Sequence, residues 1–207
     1  VYNPGRFKSY DKKEAFELMD QNPFATVINV AEGKPMVSQL PLTPTRDGDS
    51  IVLIGHMARA NPQWRSLTSS QVTVLFQGPH TYITPKWYVE TDVPTWNYSS
   101  VQVEGQAELL ENHDTIVECL RHLTAHVERH WPSGWEFSIP RDLAGDSLAK
   151  SIVAFRIRIE ELHFKKKLSQ NRSAEDRAGV MMGLGNRGDD NSRLVLGAMR
   201  RHDTSVK

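Results

Sequence analysis

The sequence has one cysteine, Cys119, and no apolar run longer than a few residues. A lone cysteine can form neither an intrachain disulfide nor a cysteine-rich zinc site. Runs such as residues 72–76, themselves broken by Thr73, fall far short of the roughly 20 residues a membrane-spanning helix needs. Charge of one sign is missing too: Lys plus Arg and Asp plus Glu number 25 each. That balance leaves no global electrostatic footprint for a polyanion, so any contact with nucleic acid requires a local patch. The opening residues, VYNPGRFKSYDKKEAF, contain no apolar segment ahead of a small-residue cleavage site, which predicts a cytoplasmic chain. What is present, 207 residues of which 39% are apolar and 24% charged, is enough for one substantial core or two small ones.

The pattern along the chain predicts short strands with a few peripheral helices. Asp11 and Glu14 ahead of Ala15, Phe16 and Met19 predict a first helix that ends near Asn22-Pro23. Runs over 24–30, 35–42 and 50–54, separated by Glu32-Gly33 and Asp47-Gly48-Asp49, read as an antiparallel meander. Asn61-Pro62 predicts an N-cap and first helical position, and strands resume over 71–76, 80–84 and 101–109. Ile116, Leu120, Leu123 and Val127 form the stripe of an amphipathic helix over 112–130. A loop over 131–150 then leads to a strict alternation from Val153 to Ile159, the clearest strand in the chain. A last helix starts at Ser173, and the Gly-, Asp-, Asn- and Arg-containing residues after Gly185 predict a flexible tail. This is a mainly β (α+β) pattern without the βα alternation of a doubly wound sheet.

Two motifs dissolve on inspection. Residues 183–188 satisfy GxGxxG but follow a helical pattern, and only nineteen residues remain after Gly188, too few for a dinucleotide-binding unit. His122, His126 and His130 recur every four residues on one helix face; spread over about 12 Å they cannot all reach one ion, and they read as a solvated face with no metal assigned. Four polar clusters carry more. An arginine and a helix start directly after a strand, at Arg59 and Asn61 with His56 beside them, make a natural phosphate seat. Gln77 sits where one strand turns into the next, with His80 nearby. Trp96-Asn97 can stack on a flat ring and hydrogen-bond its edge. Lys167, Ser169, Gln170 and Arg172 follow a basic run just before the last helix. Together these groups fit a planar, phosphorylated cofactor better than a peptide or duplex DNA.

The strings GHMARANPQW (55–64), FQGPHTYITPKWY (76–88), VPTWNY (93–98) and KLSQNRSAEDRAGV (167–180) resemble the PaiB family of FMN-binding negative transcriptional regulators. The resemblance implies an antiparallel FMN-binding split β-barrel with peripheral helices over residues 1–185, outside which 186–207 form a flexible or weakly structured C-terminal tail. It also implies a homodimer with FMN at the subunit interface. Arg59 matches the basic phosphate-gripping position of the wider superfamily, Asn61 stands where many relatives have lysine, and Lys167, Ser169 and Gln170 match a C-terminal element near the flavin. Two function classes follow. One is a dimeric repressor whose flavin tunes a regulatory surface, with DNA as a partner through Lys165–Lys167, Arg172, Arg193, Arg200 and Arg201. The other is an FMN-dependent oxidoreductase that does not bind DNA, in which the flavin performs the chemistry. No catalytic residue is assigned, and the residues alone do not decide whether the chain is an enzyme.

Overall fold

The alternating apolar runs are strands, several longer than the pattern predicts. The computed structural model describes residues 1–48, 50–90, 92–131, 133–138 and 149–205. The strands are β1 (Lys8–Ser9), β2 (Phe24–Ala31), β3 (Lys34–Asp47), β4 (Ser50–Ala58), β5 (Val72–Ile83), β6 (Thr95–Leu110) and β7 (Ile152–Lys167). The helices are α1 (Lys12–Gln21), α2 (Trp64–Leu67), α3 (His113–His130), α4 (Ala174–Arg187) and α5 (Asp190–Ser205). Hydrogen-bonded strand order is β1-β7-β4-β3-β2-β5-β6, and β7 also pairs with β6, so the order returns on itself. Every pairing whose register is defined is antiparallel, as the split-barrel expectation requires. Within the predicted loop over 131–150, residues 132 and 139–148 lie outside the described residues.

The chain clusters into two compact units: one of Val1–Asp11, Gln77–Val101 and His163–Lys207, the other of Lys12–Phe76 and Gln102–Leu162. The expected division was a domain over 1–185 and a tail.

In the larger unit, Glu32 and Gly33 both take positive φ (52° and 74°), the backbone of a two-residue type I′ turn whose twist suits the β2–β3 hairpin. Gly105 of β6 lies against the backbone of Arg158 in β7 so closely that a Cβ would overlap the Arg158 carbonyl. Only glycine lets these two strands approach so nearly. Asn112 caps α3 by accepting from the Asp114 N–H at 2.8 Å. The buried line of α3 is Ile116, Cys119, Leu123 and His126 rather than the predicted Ile116, Leu120, Leu123 and Val127. His126 is only 4% exposed, so the three-histidine face is not solvated: it turns toward β3 and α1, where His122 Nε2 meets Thr45 Oγ1 at 3.0 Å and His126 Nε2 meets the Asp20 carbonyl at 3.1 Å.

In the smaller unit, α4 and α5 bury Val180, Leu184, Val195, Leu196, Ala198 and Met199 with Ile83, Tyr88 and Leu168. The predicted flexible tail is therefore mostly a helix that contributes to a core. Its start is fixed by Asp189, whose carboxylate accepts from the Ser192 N–H at 3.0 Å and the Ser192 hydroxyl at 2.6 Å. Val195, Leu196, Ala198 and Met199 then supply an apolar stripe. The GxGxxG string has a different explanation from nucleotide binding. Gly183 and Gly185 are helical, Gly183 presses its bare Cα against the Trp87 ring, and Gly188 ends α4 at φ 66° as a left-handed cap.

Candidate functional site

The ten candidate residues divide between the units. His56, Arg59 and Asn61 belong to the larger; Gln77, Trp96, Asn97, Lys167, Ser169, Gln170 and Arg172 belong to the smaller.

In the larger unit the strand β4 delivers Arg59 just past its last residue. The Arg59 guanidinium donates from Nε to the Lys150 carbonyl at 2.8 Å and from Nη2 to the Ile152 carbonyl at 2.9 Å. Its own carbonyl accepts from the Trp64 indole at 3.0 Å, and the guanidinium lies 5.7 Å from that ring's centroid. The side chain is thus exposed but fixed in direction, and its Nη1 has no hydrogen-bond partner among the described residues. Arg59 and Trp64 line a cavity of about 280 Å³ with Leu109, Leu110, Ile116, Val153 and Glu111.

The expected helix start at Asn61 is different in detail. Helix α2 is only four residues long and begins at Trp64, too short to offer a useful dipole. Asn61 instead forms a local turn, its Oδ1 accepting from the Gln63 N–H at 3.1 Å, while its Nδ2 donates to Ser38 Oγ at 2.8 Å. The buried Gln63 amide ties three neighbours together, donating toward the Val27 and Met36 carbonyls and Asn29 Oδ1 at 3.0–3.2 Å. His56 lies on β4 opposite Ala154. Its buried Nδ1 has no hydrogen-bond partner among the described residues, and burial lowers its pKa below the ordinary 6.5.

In the smaller unit, the side chain of Asn97 is fully buried and exchanges hydrogen bonds with Ser169, Nδ2 to Oγ at 2.9 Å and Oγ to Oδ1 at 3.2 Å. Ser169 holds φ 61°, in the left-handed region a side chain seldom adopts. Gln170 folds back on its own turn, accepting from the Leu168 N–H at 2.6 Å and donating to the Lys166 carbonyl. Lys167 donates to Thr95 Oγ1 and, at 3.0 Å, to the Trp96 carbonyl. Burial first, then the nearby Lys165 and Arg172 charges, lower its pKa. Arg172 pairs with Asp92 and stacks 4.5 Å from the Tyr88 ring centroid. Thr95, Asn97, Lys167, Ser169, Asn171 and Arg172 enclose a small space of about 60 Å³, room for one or two small polar groups but not for a ring system.

Beside this polar knot, Trp96 is 53% exposed and meets the rings of His80 at 6.3 Å and Tyr82 at 6.2 Å. The Gln77 amide approaches His80 Nδ1 at 3.4 Å. Thus Gln77, Trp96, Asn97 and the Lys167–Arg172 segment fall into one neighbourhood of the smaller unit.

The comparisons with known proteins now bear on this geometry. A family model described as "Putative FMN-binding domain" matches residues 1–161. The chain belongs to that FMN-binding domain family. A curated relative, the Bacillus subtilis "Protease synthase and sporulation protein PAI 2", is 37% identical over 202 residues and covers 96% of each chain. An uncharacterized protein of Emericella nidulans is 32% identical over 198 residues, covering 80% of this chain and 79% of the relative. Among solved structures, the flavocytochrome Anf3 of Azotobacter vinelandii aligns with a TM-score of 0.62 at 21% identity, over 83% of this chain and 75% of the other. An FAD- and heme-binding protein of Mycobacterium smegmatis aligns at 0.61 and 20%, over 77% and 73%. These two likenesses support the split-barrel fold.

Thr95, Asn171 and Tyr88 stand inside the sequence clusters but outside the ten candidate residues; they complete the surroundings of Lys167 and Arg172 in this FMN-binding family member. Tyr88 and Arg172 are 84 positions apart, and no spacing rule connects them. Asp20, brought beside His126 and His130, was missed for the same reason.

Proposed function

We propose that this protein binds FMN and serves as a dimeric negative transcriptional regulator inside the cell. The observation that carries the flavin reading is the Arg59 guanidinium, held by the carbonyls of residues 150 and 152, its Nη1 without a partner among the described residues, beside a largely apolar, indole-bearing cavity. A guanidinium already fixed in place grips a phosphate without first losing rotamer freedom. Family membership supports the same reading.

The residues present fit a flavin in kind. Arg59 suits the phosphate; His56, whose buried Nδ1 has no partner among the described residues, and Asn61 lie close to Arg59 in sequence. In the smaller unit, the exposed Trp96 face offers stacking area, Gln77 an amide, and Lys167 a cation with a remaining N–H. Asn97, Ser169, Gln170 and Arg172 act there through position, since each is engaged with its own neighbours. Each group is by itself a candidate for flavin contact. A bound flavin would supply one- or two-electron redox chemistry; the chain's own residues bind, orient and shield it.

Titrating FMN into the purified protein, wild type, Arg59→Ala and Lys167→Ala, tests the two groups one at a time. Loss of a charge-assisted phosphate contact should weaken binding by about 1.5–3 kcal/mol, and unchanged affinity in both variants would contradict the assignment. Repression, dimerisation and DNA contact are supported by the resemblance to PaiB-type regulators.

A second reading, a flavin-dependent oxidoreductase that leaves DNA alone, is favoured by the state of the basic residues. Arg172 and Arg193 are ion-paired within the chain, and Lys165 donates to the Tyr2 carbonyl between two tyrosine rings. Anaerobic mixing with NADH or NADPH separates the two: rapid bleaching of the flavin supports the enzyme, and inert flavin with salt-sensitive DNA binding supports the regulator.

A further inference from the structure

The larger unit carries a group of ligands that the flavin reading does not use. Asp20, near the end of α1, and His126 and His130, one turn apart on α3, bring one ligand atom each to within 4.8 Å of one another. Asp20 Oδ1 is 3.4 Å from His126 Nδ1, and Asp20 Oδ2 is 3.2 Å from His130 Nε2. Around a tetrahedral zinc ion with bonds of about 2.0–2.1 Å, neighbouring ligand atoms stand about 3.3 Å apart. Hydrogen bonds span similar distances, so spacing alone decides nothing; the direction of the lone pairs does.

His126 Nε2 faces the backbone carbonyl of Asp20 at 3.1 Å. A carbonyl only accepts, so Nε2 carries the proton and Nδ1 of the neutral ring presents a bare lone pair to the Asp20 carboxylate. An imidazole whose far N–H is held by a carbonyl is the arrangement that orients a metal-binding histidine. Arg129 confirms the polarity, because its Nη2, a donor only, lies 2.8 Å from His126 Nδ1 and 3.2 Å from Asp20 Oδ1. A cation therefore already occupies the position between two of the three ligands. Its side chain is 63% exposed, so it can leave into solvent.

We propose that Asp20, His126 and His130 form a site for a divalent transition metal of the zinc class, gated by Arg129. A carboxylate and two imidazoles suit zinc, cobalt or nickel better than calcium or magnesium. Three protein ligands leave a fourth position to water. On binding, the neutral His130 ring moves its single proton from Nε2 to Nδ1 by exchange with solvent, the metal takes the freed Nε2 lone pair, and the Arg129 guanidinium swings away. The site ties the end of α1 to α3, so occupancy also strengthens the packing of these two helices.

The test uses the full chain, freed of metal by a chelator, and ZnCl2 or CoCl2 alone. Calorimetry should show saturable binding of one Zn2+ per chain, weakened at least tenfold by Asp20→Asn and by His130→Ala. Arg129→Ala should bind severalfold more tightly, because it removes the competing cation. A merely structural ion-pair network would move the other way, since deleting Arg129 would loosen the site. Wild-type protein that takes up no zinc, uptake equal in Asp20→Asn and His130→Ala, or weaker uptake in Arg129→Ala would each overturn the proposal. Circular dichroism checks the fold of each variant. Should a variant fail to fold, the visible spectrum of wild-type protein with Co2+ decides: intense d–d bands support four-coordinate nitrogen and oxygen ligation, and weak bands like those of aqueous Co2+ overturn it.

Discussion

Asn97 and Ser169, 72 positions apart, lock together through two hydrogen bonds of 2.9 and 3.2 Å, with Ser169 held in a left-handed backbone at φ 61°. The strain and the bonds make separable demands on the chain. Ser169→Ala removes both bonds, leaves the buried Asn97 amide without its hydroxyl partner and keeps the strain, so it should destabilise by about 1–3 kcal/mol. Ser169→Gly loses the same bonds but relieves roughly 1 kcal/mol of backbone strain, and should be the milder change. Urea unfolding of the two variants checks the order; a glycine variant less stable than the alanine variant would contradict it.

Trp87 and Gly183 set a second demand. In an exposed helix, Gly→Ala gains about 1 kcal/mol. At Gly183 the new methyl would overlap the Trp87 ring, so Gly183→Ala should instead cost about 1–3 kcal/mol through overpacking. In the background of Trp87→Ala the same substitution should become neutral or stabilising. A double-mutant cycle by chemical denaturation measures this coupling, and additive effects would show that the ring does not rest on the glycine.

His56 gives a pH dependence whose sign is fixed. Burial lowers its folded pKa below 6.5, and burial also leads the causes that lower His126. As pH falls through about 6.5 the unfolded chain takes up protons that the folded chain resists, so stability falls, and the loss levels off below the folded pKa values. Thermal unfolding between about pH 7.5 and 5.5 should show a falling midpoint, and His56→Asn should flatten it. Proton NMR of the His56 ring should show titration below 6.5; titration above it would contradict the assigned burial.

Cys119 is a core residue whose thiol is pushed up to about 12 by burial, with Sγ 3.7 Å from the Gly55 carbonyl. The thiolate is the reactive form, so iodoacetamide at neutral pH should leave the folded protein unmodified and label it on unfolding. Mass spectrometry distinguishes the two, and rapid labelling of the folded protein would place Cys119 at the surface.

Much of the architecture was legible because it is written in short-range patterns. The Glu32-Gly33 turn, the helix start at Ser173 and the alternation from Val153 to Ile159 all rest on neighbouring residues, and each is found in place. The last helix was not legible, because its apolar stripe is short and set among Gly, Asp, Asn and Arg residues that read as a tail. The histidine face was misjudged for another reason: helical spacing shows which residues share a face but not what packs on it, and Asp20 arrives from about a hundred positions away. For the candidate site, Trp96, Asn97 and Lys167 lie in one neighbourhood of the smaller unit, whereas the expected dipole at Asn61 was lost once α2 proved to be four residues long.

The central claim is that a phosphorylated flavin is recognised through its phosphate by Arg59. Parallel calorimetric titration with FMN and with riboflavin, which lacks the phosphate, tests it most directly, on wild type and on Arg59→Ala. The account predicts that wild-type protein prefers FMN by about tenfold or more, the equivalent of about 1.4 kcal/mol, and that Arg59→Ala binds the two alike. Equal affinity for both ligands in wild-type protein, or a preference for FMN that survives the loss of Arg59, would contradict it.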